Sequence, residues 1–349
     1  MADDVRFINV DNASSGDGTT NETDSSADSA YISAASWEAN EAVDLPAAGD
    51  THLVNCDGSG ADTGGKCELS TWTTGASNRL TMRGNAAALH PGNWDTGKYH
   101  QQVSDTFDGA IEINTGAEYC TIEALQVEQQ GSVTDQSQGI TLGMTGNTAS
   151  DVIVRGCLVF ESAAGTPTLT CSGISALADV NMVIVNNIVF GNWYDGIVTS
   201  FADTAILRIM YNNTVVDCQN SGITAADDNT NANGRYFNNV LDNNGTDWVS
   251  GGGNKTTGGN CTSDATSPET GLRNRTFTFI NAAGDDYHLA ASDTGASGTG
   301  TDLSADSDFA FNDDVDRVTR IAWDSGADEK VVGGVTLPIF EQHYRAMRA

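Results

Sequence analysis

The stretch NMVIVNNIVFGNWYDGIVTS, residues Asn181–Ser200, decides the fold. Its runs of Val and Ile favour β-strand. The pair Asn186–Asn187 interrupts these runs at a sharp bend, because Asn tolerates left-handed backbone angles and hydrogen-bonds to its own backbone. The stretch therefore predicts a strand, a bend, a strand, a turn and a third strand. Three such strands cannot bury their own apolar face, so they need partners elsewhere in the chain.

The same pattern returns along the chain. The pairs Asn212–Asn213 and Asn238–Asn239 continue the series in steps of 26 residues. Two earlier stretches, Cys120–Gln130 and Val152–Ser162, have the same shape, and the extra residues of their longer steps fall at one turn. A period in this range, with insertions confined to one turn, is typical of a solenoid.

The repeat predicts an all-β protein, a parallel β-helix. Its apolar runs are too short and too β-branched for helical repeats, and the regular Leu pattern of leucine-rich repeats is missing. Each coil would add a rung about 4.8 Å along the axis. The alternative is a β-sandwich with ordinary hairpin turns, which does not require equal steps. The asparagine pairs form the predicted structural ladder, in which the amides of Asn186, Asn212 and Asn238 bind one another, beside Asn187, Asn213 and Asn239.

Composition limits the partners. The 349 residues carry a net charge of −31, which repels nucleic acid and anionic membranes. This charge indicates a solvated acidic surface or, alternatively, adaptation to a salty medium or cation binding. No apolar run is long enough to cross a membrane. The first residues, MADDVRFINVDNASS, lack the basic segment and apolar core of a secretory signal.

The seven cysteines predict no metal site, because no Cys or His spacing resembles a zinc motif. Cys120, Cys157 and Cys218 lie in or beside apolar strands, where a free thiol behaves as a small hydrophobic group. Cys56 and Cys67 flank a Gly-rich loop and could form a disulfide, which the sequence leaves open.

Four regions follow from these patterns. Residues 1–50 are an N-terminal arm and cap, with a helix expected from about Ser33 to Val43 that covers the open end of the core. Residues 51–250 form the coils. A loop-rich closing unit follows at 251–329, and 330–349 form a C-terminal arm.

The coils around VNNIVFGN and the closing stretch FINAAGDDYHLAASDTGASGTGTDLS, with WDSGADE after it, resemble the right-handed parallel β-helix family, the pectate-lyase-like fold. The resemblance covers about residues 45–329. Ser325 stands where the family pattern has Ile. Members of this fold include polysaccharide lyases, glycoside hydrolases, adhesins and bacteriophage tail or capsid proteins, so the resemblance implies the fold more strongly than any one function.

The resemblance also says what an enzyme of this fold needs. Its lyases use Asp-bound calcium with an Arg or Lys base, and its hydrolases use clustered Asp residues with His and Lys nearby. The coil body, residues 111–249, contains no His and no Lys. Its three arginines, Arg155, Arg208 and Arg235, do not share one column of the repeat.

If the protein is an enzyme, Asp195 and Asp217 are the expected catalytic carboxylates, since glycoside hydrolysis needs two carboxyl groups about 5–9.5 Å apart. Trp193 and Tyr194 lie beside Asp195 and could stack on a sugar ring. The alternatives are a turn residue before Gly for Asp195 and turn packing for the two aromatic residues.

Two further segments suggest ligands or partners. The run DLSADSDFAFNDDVD, Asp302–Asp316, is rich in the oxygen donors that calcium prefers, although its spacing is not that of an EF-hand. No other cofactor is predicted. The C-terminal arm carries apolar and basic residues that could dock on a partner or fold back on the solenoid, namely Ile339, Phe340, Tyr344, Arg345, Met347 and Arg348.

Together these observations predict a non-enzymatic structural protein of a virus particle, specifically a bacteriophage capsid-decoration or tail-associated β-helix. It would be made in the host cytoplasm, bind other virion proteins through its C-terminal arm, and form a homo-oligomer, for which the resemblance suggests a trimer. The alternatives are an extracellular lyase of acidic polysaccharides or glycoside hydrolase, and a surface adhesin.

Overall fold

A computed structural model describes residues 3–24, 26–104, 109–131, 137–143, 151–167, 171–176, 180–201, 206–227, 233–251 and 255–330. The predicted C-terminal docking residues, Ile339, Phe340, Tyr344, Arg345, Met347 and Arg348, lie outside these ranges. Of the residues described, no helix combines the length and hydrophobicity needed to cross a bilayer.

Three parallel sheets form the body of the protein, and each coil passes through all three in turn. Sheet A contains β1 (Asp3–Asn9), β2 (Thr51–Asp57), β5 (Leu80–Gly84), β8 (Cys120–Glu123), β11 (Val152–Arg155), β14 (Met182–Val185), β17 (Leu207–Tyr211), β20 (Asn233–Phe237) and β23 (Lys255–Gly258). Sheet B contains β3 (Ala61–Asp62), β6 (His100–Val103), β9 (Gln126–Gln129), β12 (Leu158–Glu161), β15 (Ile188–Gly191), β18 (Thr214–Val216), β21 (Val240–Asp242) and β24 (Cys261–Thr262). Sheet C contains β4 (Cys67–Leu69), β7 (Gly109–Ile113), β10 (Gln138–Leu142), β13 (Ser172–Ala176), β16 (Asp195–Phe201), β19 (Ser221–Asp227) and β22 (Thr246–Ser250).

The register stacks aliphatic side chains into columns inside the solenoid. In sheet C, Ile140, Ile174, Ile197 and Ile223 lie opposite one another on successive strands and are fully buried. Comparable columns run through the other two sheets, since β-branched residues pack well on a pleated surface. Among the described strands, only β25 (Phe279–Asn281) and β26 (Asp286–Leu289) pair antiparallel. The predicted all-β parallel β-helix is therefore confirmed, and the sandwich alternative is excluded.

The asparagine ladder runs through the second residue of each pair. The side-chain amides of Asn187, Asn213 and Asn239 each donate to the Oδ1 of the Asn one rung further on, at 3.0, 3.0 and 2.8 Å, and the last acceptor is Asn260. All four side chains are fully buried. A ladder of this kind satisfies amide groups that would be costly to bury alone.

The first residue of each pair makes the bend instead. Asn186, Asn212 and Asn238 have φ values of +55°, +51° and +58°. Asn238 donates to the Oδ1 of Asn212 at 3.1 Å, but Asn186 directs its amide to the backbone carbonyl of Asp313 at 2.8 Å. The expectation that these three amides bind one another is thus corrected. A left-handed residue turns its side chain out of the ladder, towards the segment that follows the coils.

The N-terminal region contributes the first strand of the β-helix and does not only cap it. β1 pairs in parallel with β2 along its whole length, so the solenoid begins at Asp3 and not at residue 51. It ends at Thr262 in β24, beyond the expected boundary at 250. The predicted cap is present as α1 (Ala34–Glu41), whose N-cap is Ser33, followed by α2 (Leu45–Ala48).

Residues 263–330, here called the closing segment, run back along the corner between sheets A and B. The segment includes two single-turn 3-10 helices, Thr270–Leu272 and Ala282–Gly284, as well as β25 and β26. It covers the outer face of sheet A with Leu303, Phe311 and Trp323, and the outer face of sheet B with Tyr287, Val315 and Ala327. The closing segment therefore lies along the side of the solenoid.

The cysteines are all buried as free thiols. Cys56 and Cys67, which the sequence left as a possible disulfide, are both fully buried and unpaired with each other. Burial raises the pKa of each thiol well above its usual value, which makes both poor nucleophiles.

Candidate functional site

Asp195, the first predicted catalytic carboxylate, holds two rungs together. It lies at the start of β16 and opposes Ser172 on one side and Ser221 on the other. Its Oδ1 accepts hydrogen bonds from the Nδ2 of Asn220 at 2.8 Å, from the backbone N of Ser221 at 3.1 Å, and from the Ser221 hydroxyl. This carboxylate is thus committed to the next coil.

Asp217, the second predicted carboxylate, follows β18 in the left-handed conformation, with φ of +63°. Its Oδ1 accepts from the Nδ2 of Asn243 at 2.6 Å, and its Oδ2 accepts from the hydroxyl of Tyr287 at 3.2 Å. The donors to Asp217 are different from those to Asp195, and the two residues lie in different columns. Their role as a catalytic pair stays a prediction.

The predicted sugar contact at Trp193 is wrong. Its side chain is fully buried in the core, where Nε1 donates to the carbonyl of Val159 at 3.4 Å. The indole fills the turn between sheets B and C, so it has no face for a ligand. Tyr194 is half-buried, and its contact with a sugar stays a prediction.

The acidic run Asp302–Asp316 does not converge on one point. Asp306 and Asp308 pair with Arg235, and Asp313 pairs with Arg155 at 2.7 Å. Of the run, only Asp316 belongs to a group of potential metal ligands within the described ranges. Calcium binding by this run stays a prediction.

Arg235 lies in an open cleft of about 600 Å³ on sheet A, together with Lys255 and Asp308. Its guanidinium donates to the Tyr211 hydroxyl at 2.6 Å and pairs with Asp308 at 2.7 Å and with Asp306. Burial opposes its charge, but these partners outweigh burial and raise the Arg235 pKa. A guanidinium held in its charged form cannot act as the proton-abstracting base of a lyase.

Two carboxyl groups that the sequence did not single out lie on neighbouring strands of sheet B. Glu128 is the third residue of β9 and Glu161 the last residue of β12, and they are offset by one position, since Phe160 opposes Glu128 and Glu161 opposes Gln129. Strand alternation therefore turns Glu128 to the outer face with Phe160 and Glu161 to the inner face with Gln129. No regular spacing connects these residues, because the insertion between their coils hides the register. Their placement on adjacent strands could be read from the sequence only after the coils were aligned.

Glu128 is held in its ionised form. Burial opposes the charge, but hydrogen bonds from Ser162, Gln130 and Gln102 outweigh burial and lower its pKa. The Nε2 of Gln102 donates at 2.6 Å and the Nε2 of Gln130 at 2.9 Å. The Nε2 of His100 lies 3.6 Å from the same carboxylate.

Glu161 has the opposite environment. Its Oε1 accepts from the backbone N of Ala163 at 2.8 Å, and its Oε2 is buried with no hydrogen-bond partner within the described part of the chain. Burial, with a smaller effect from the Glu128 charge, raises the pKa of Glu161 to about 8. Because the two side chains lie on opposite faces of sheet B, these opposite pKa shifts do not make them an acid and a base for one substrate.

Aromatic rings lie near Glu128 on the outer face of sheet B. Phe160 and Phe190 are stacked with their ring centroids 4.7 Å apart, and Trp94 meets Phe160 edge-on at 5.2 Å and His100 at 5.5 Å. Trp94 and Phe160 are only half-buried. Half-exposed rings beside the Glu128 carboxylate form a surface on which a sugar ring can stack.

Comparison with known proteins adds little to this picture. No protein-family model and no curated protein matches the chain. Among solved structures, the chain is similar to the crystal structure of pectate lyase Pel9A, with 13% sequence identity and a TM-score of 0.30, over 95% of this chain and 97% of that one. A likeness at this TM-score carries nothing about activity, and the fold rests on the three parallel sheets themselves.

Proposed function

We propose that this protein has a non-enzymatic structural role, as a component of a virus particle. It is a parallel β-helix whose predicted catalytic acids bind neighbouring coils and the closing segment. The observation that carries the proposal is the hydrogen bonding of Asp195 and Asp217. Asp195 joins β16 to β19, and Asp217 joins the coil to Tyr287 of the closing segment. Side chains used in this way add rigidity to the solenoid.

The internal ladder supports the same proposal. The chain of amides from Asn187 to Asn260 is buried and continuous across four coils. Because a break would leave polar groups buried without partners, local opening is costly. A stiff, acidic rod suits a particle component that must keep its shape while exposed to solvent.

The finer proposal places the protein on a bacteriophage capsid or tail, as a homo-oligomer with a trimer as the expected form. Residues 330–349 would bind other virion proteins. The resemblance of the coils to a fold found in phage structural proteins supports this assignment, as does the net charge of −31, which keeps the body from associating with nucleic acid.

The test is sedimentation of native source material followed by mass spectrometry of the pelleted and soluble fractions. We expect the protein to pellet with virions in many copies per particle. A chain that lacks residues 331–349 should remain folded and should no longer bind particles, whereas unchanged binding rules out the docking arm. Recovery of the full chain only in the soluble fraction rules out the virion role.

A further inference from the structure

Three side chains from separate parts of the closing segment converge beside a loop of the coils. His288 belongs to β26, Asp316 lies in the turn between the bridged residues Asp313 and Thr319, and Asp328 lies near the end of the segment. One ligand atom from each of His288, Asp316 and Asp328 lies within 4.8 Å of the other two. These residues are 28 and 12 positions apart in sequence, so only the fold brings them together.

The imidazole of His288 is oriented by carboxylates on both sides. Its Nδ1 lies 2.5 Å from the Oδ1 of Asp286, and its Nε2 faces both oxygens of Asp316, at 3.1 and 3.0 Å. When Nδ1 carries the proton and donates to Asp286, the lone pair of Nε2 points at the carboxylate of Asp316. A positive charge between Nε2 and Asp316 is required there, and either a proton on Nε2 or a bound metal ion supplies it.

The Asp286–His288 contact is the outer half of a carboxylate–histidine–metal arrangement. Histidines that bind metals almost always donate their other ring N–H to a carboxylate or carbonyl, which fixes the tautomer and makes the free nitrogen more basic. Asp286 and His288 are two residues apart on the short strand β26, where alternation places them on one face. This pairing is independent of the acidic cluster itself.

The remaining ligand is fixed in place. Asp328 is 4% exposed, and its Oδ2 accepts from the backbone N of Leu289 at 2.7 Å. Asp316 is more open, with 30% of its side chain exposed. The site thus has one buried carboxylate and one that solvent can reach, so an ion could enter from the Asp316 side.

The wall of the site is the backbone of Gly92. A Cβ at this position would lie 2.2 Å from the Nε2 of His288 and 2.2 Å from the Oδ1 of Asp316. Only glycine allows the coil backbone to approach the two groups this closely. The loop is held there by His90, whose Nδ1 accepts from the backbone N of Gly92 at 3.2 Å and whose Nε2 lies 2.8 Å from the carbonyl of Gly156.

The other group of potential ligands in the described ranges, Asp4, Glu41 and His52, differs in this respect. There Arg6 pairs with both carboxylates, at 2.9 Å from Glu41 and with Asp4 as well. The positive centre is already supplied by the chain. The described ion pairs of the group around His288 include no arginine or lysine, so a metal ion competes there only with a proton on His288.

We propose that His288, Asp316 and Asp328 bind a divalent transition-metal ion of the zinc type. One imidazole nitrogen with two carboxylate oxygens suits zinc and its neighbours, whereas calcium and magnesium prefer oxygen alone. Three protein ligands leave a position for water on the open side. The ion would tie β26, the 313–319 turn and residue 328 together and brace the closing segment against the Gly92 loop.

The test is titration of the metal-free full chain with Zn²⁺ by calorimetry, and with Co²⁺ by its visible absorption. We expect one ion bound per chain and a thermal unfolding midpoint that rises by a few degrees at a hundredfold excess over Kd. Asp316→Asn should abolish both effects. Asp286→Asn, which removes the carboxylate behind His288, should weaken binding about 10–100-fold.

Two controls make the result decisive. Asp302→Asn changes an acidic residue whose carboxylate accepts from the backbone N of Ser304 in the same segment, and it should bind the metal as the parent chain does. Mg²⁺ at equal concentration should leave the thermal midpoint unchanged. Equal binding by Asp316→Asn and the parent chain, an equal response to Mg²⁺, or no binding at all overturns the proposal, leaving a protonated His288 paired with its carboxylates.

Discussion

Asn187 and Asn213 are joined twice across one rung of the solenoid. The Oδ1 of Asn213 accepts from the backbone N of Asn187 at 3.1 Å and from its side-chain Nδ2 at 3.0 Å. The Nδ2 of Asn213 donates in turn to the carbonyl of Ile184 at 2.9 Å. A single side chain thus satisfies three polar groups on the coil before its own.

Replacing Asn213 with Ala should therefore destabilise the protein strongly. The substitution leaves the amide of Asn187 and the carbonyl of Ile184 buried without partners, at a cost of about 3 kcal/mol or more. Urea unfolding followed by circular dichroism measures the change in the free energy of unfolding. Asn40→Ala, on the exposed side of α1, is the matched control and should change it by no more than about 0.5 kcal/mol. Equal effects of the two substitutions would contradict the role assigned to the ladder.

Gly92→Ala should cost more than a left-handed backbone alone explains. Gly92 has φ of +79°, and the methyl group of an alanine there would clash with His288 and Asp316. Gly49 has a similar φ of +76°, but nothing lies within 4 Å of a carbon added there. Gly49→Ala should cost about 1 kcal/mol and Gly92→Ala about 1–3 kcal/mol more. Thermal unfolding of the two variants measures the difference. Equal losses would mean that the loop moves away freely.

The free energy of unfolding should fall as the pH rises, because the buried Glu161 stays protonated in the folded state. Its folded pKa of about 8 is higher than that of an unfolded Glu, so the folded state keeps a proton that the unfolded state loses. The stabilisation is complete below about pH 4.3 and disappears as the pH rises towards 8.

Glu161→Gln should remove this part of the pH dependence and raise the free energy of unfolding at pH 8, on the order of 3 kcal/mol relative to the parent chain. Urea unfolding from pH 5 to pH 8.5 measures both slopes. Glu68→Gln, at a half-exposed carboxylate paired with Lys66 at 3.2 Å, is the control and should leave the slope as it is. A parallel shift of the Glu161→Gln curve, without a change of slope, would contradict the assignment.

Arg235 should prove essential for holding the closing segment on sheet A. Arg235→Gln leaves Asp306 largely buried without its cation, for which we expect a loss of about 3 kcal/mol. Limited proteolysis should then cut first between residues 302 and 310. Arg273→Gln is the control, because its guanidinium donates to the carbonyl of Ser267 and not to a carboxylate. Resistance of Arg235→Gln to cleavage at this segment would show that apolar packing alone suffices.

The fold was predictable because the repeat is visible in the residues that make it. The pair Asn186–Asn187 marks the bend, and the 26-residue steps require equal coils. Which of the two asparagines forms the ladder was not predictable, since both residue types are identical and only the sign of φ decides which side chain turns inward. The start of the β-helix at Asp3 was not predicted, because the α-helical cap separates β1 from β2 in the sequence.

The candidate sites were harder to predict. Trp193 next to Asp195 suggested a sugar surface, but the turn directs the indole into the core. His288, Asp316 and Asp328 share no spacing, and a segment without repeats brings them together. The one local indication was Asp286 two residues before His288 on a short strand, a pairing that suits an oriented imidazole.

The closing segment fixes the number of coils in the solenoid. Its backbone carbonyls meet the bend asparagines of three successive coils, at Thr301 for Asn238, Gly326 for Asn212 and Asp313 for Asn186. Solenoids commonly gain or lose whole units, because each unit contacts only its neighbours. Here a deleted or duplicated coil would move every later bend asparagine by one rung. These asparagines would then no longer meet the carbonyls of the closing segment, whose spacing is fixed. The protein therefore cannot gain or lose whole coils as other solenoids do. Its length along the solenoid axis is as fixed as the size of a single globular domain.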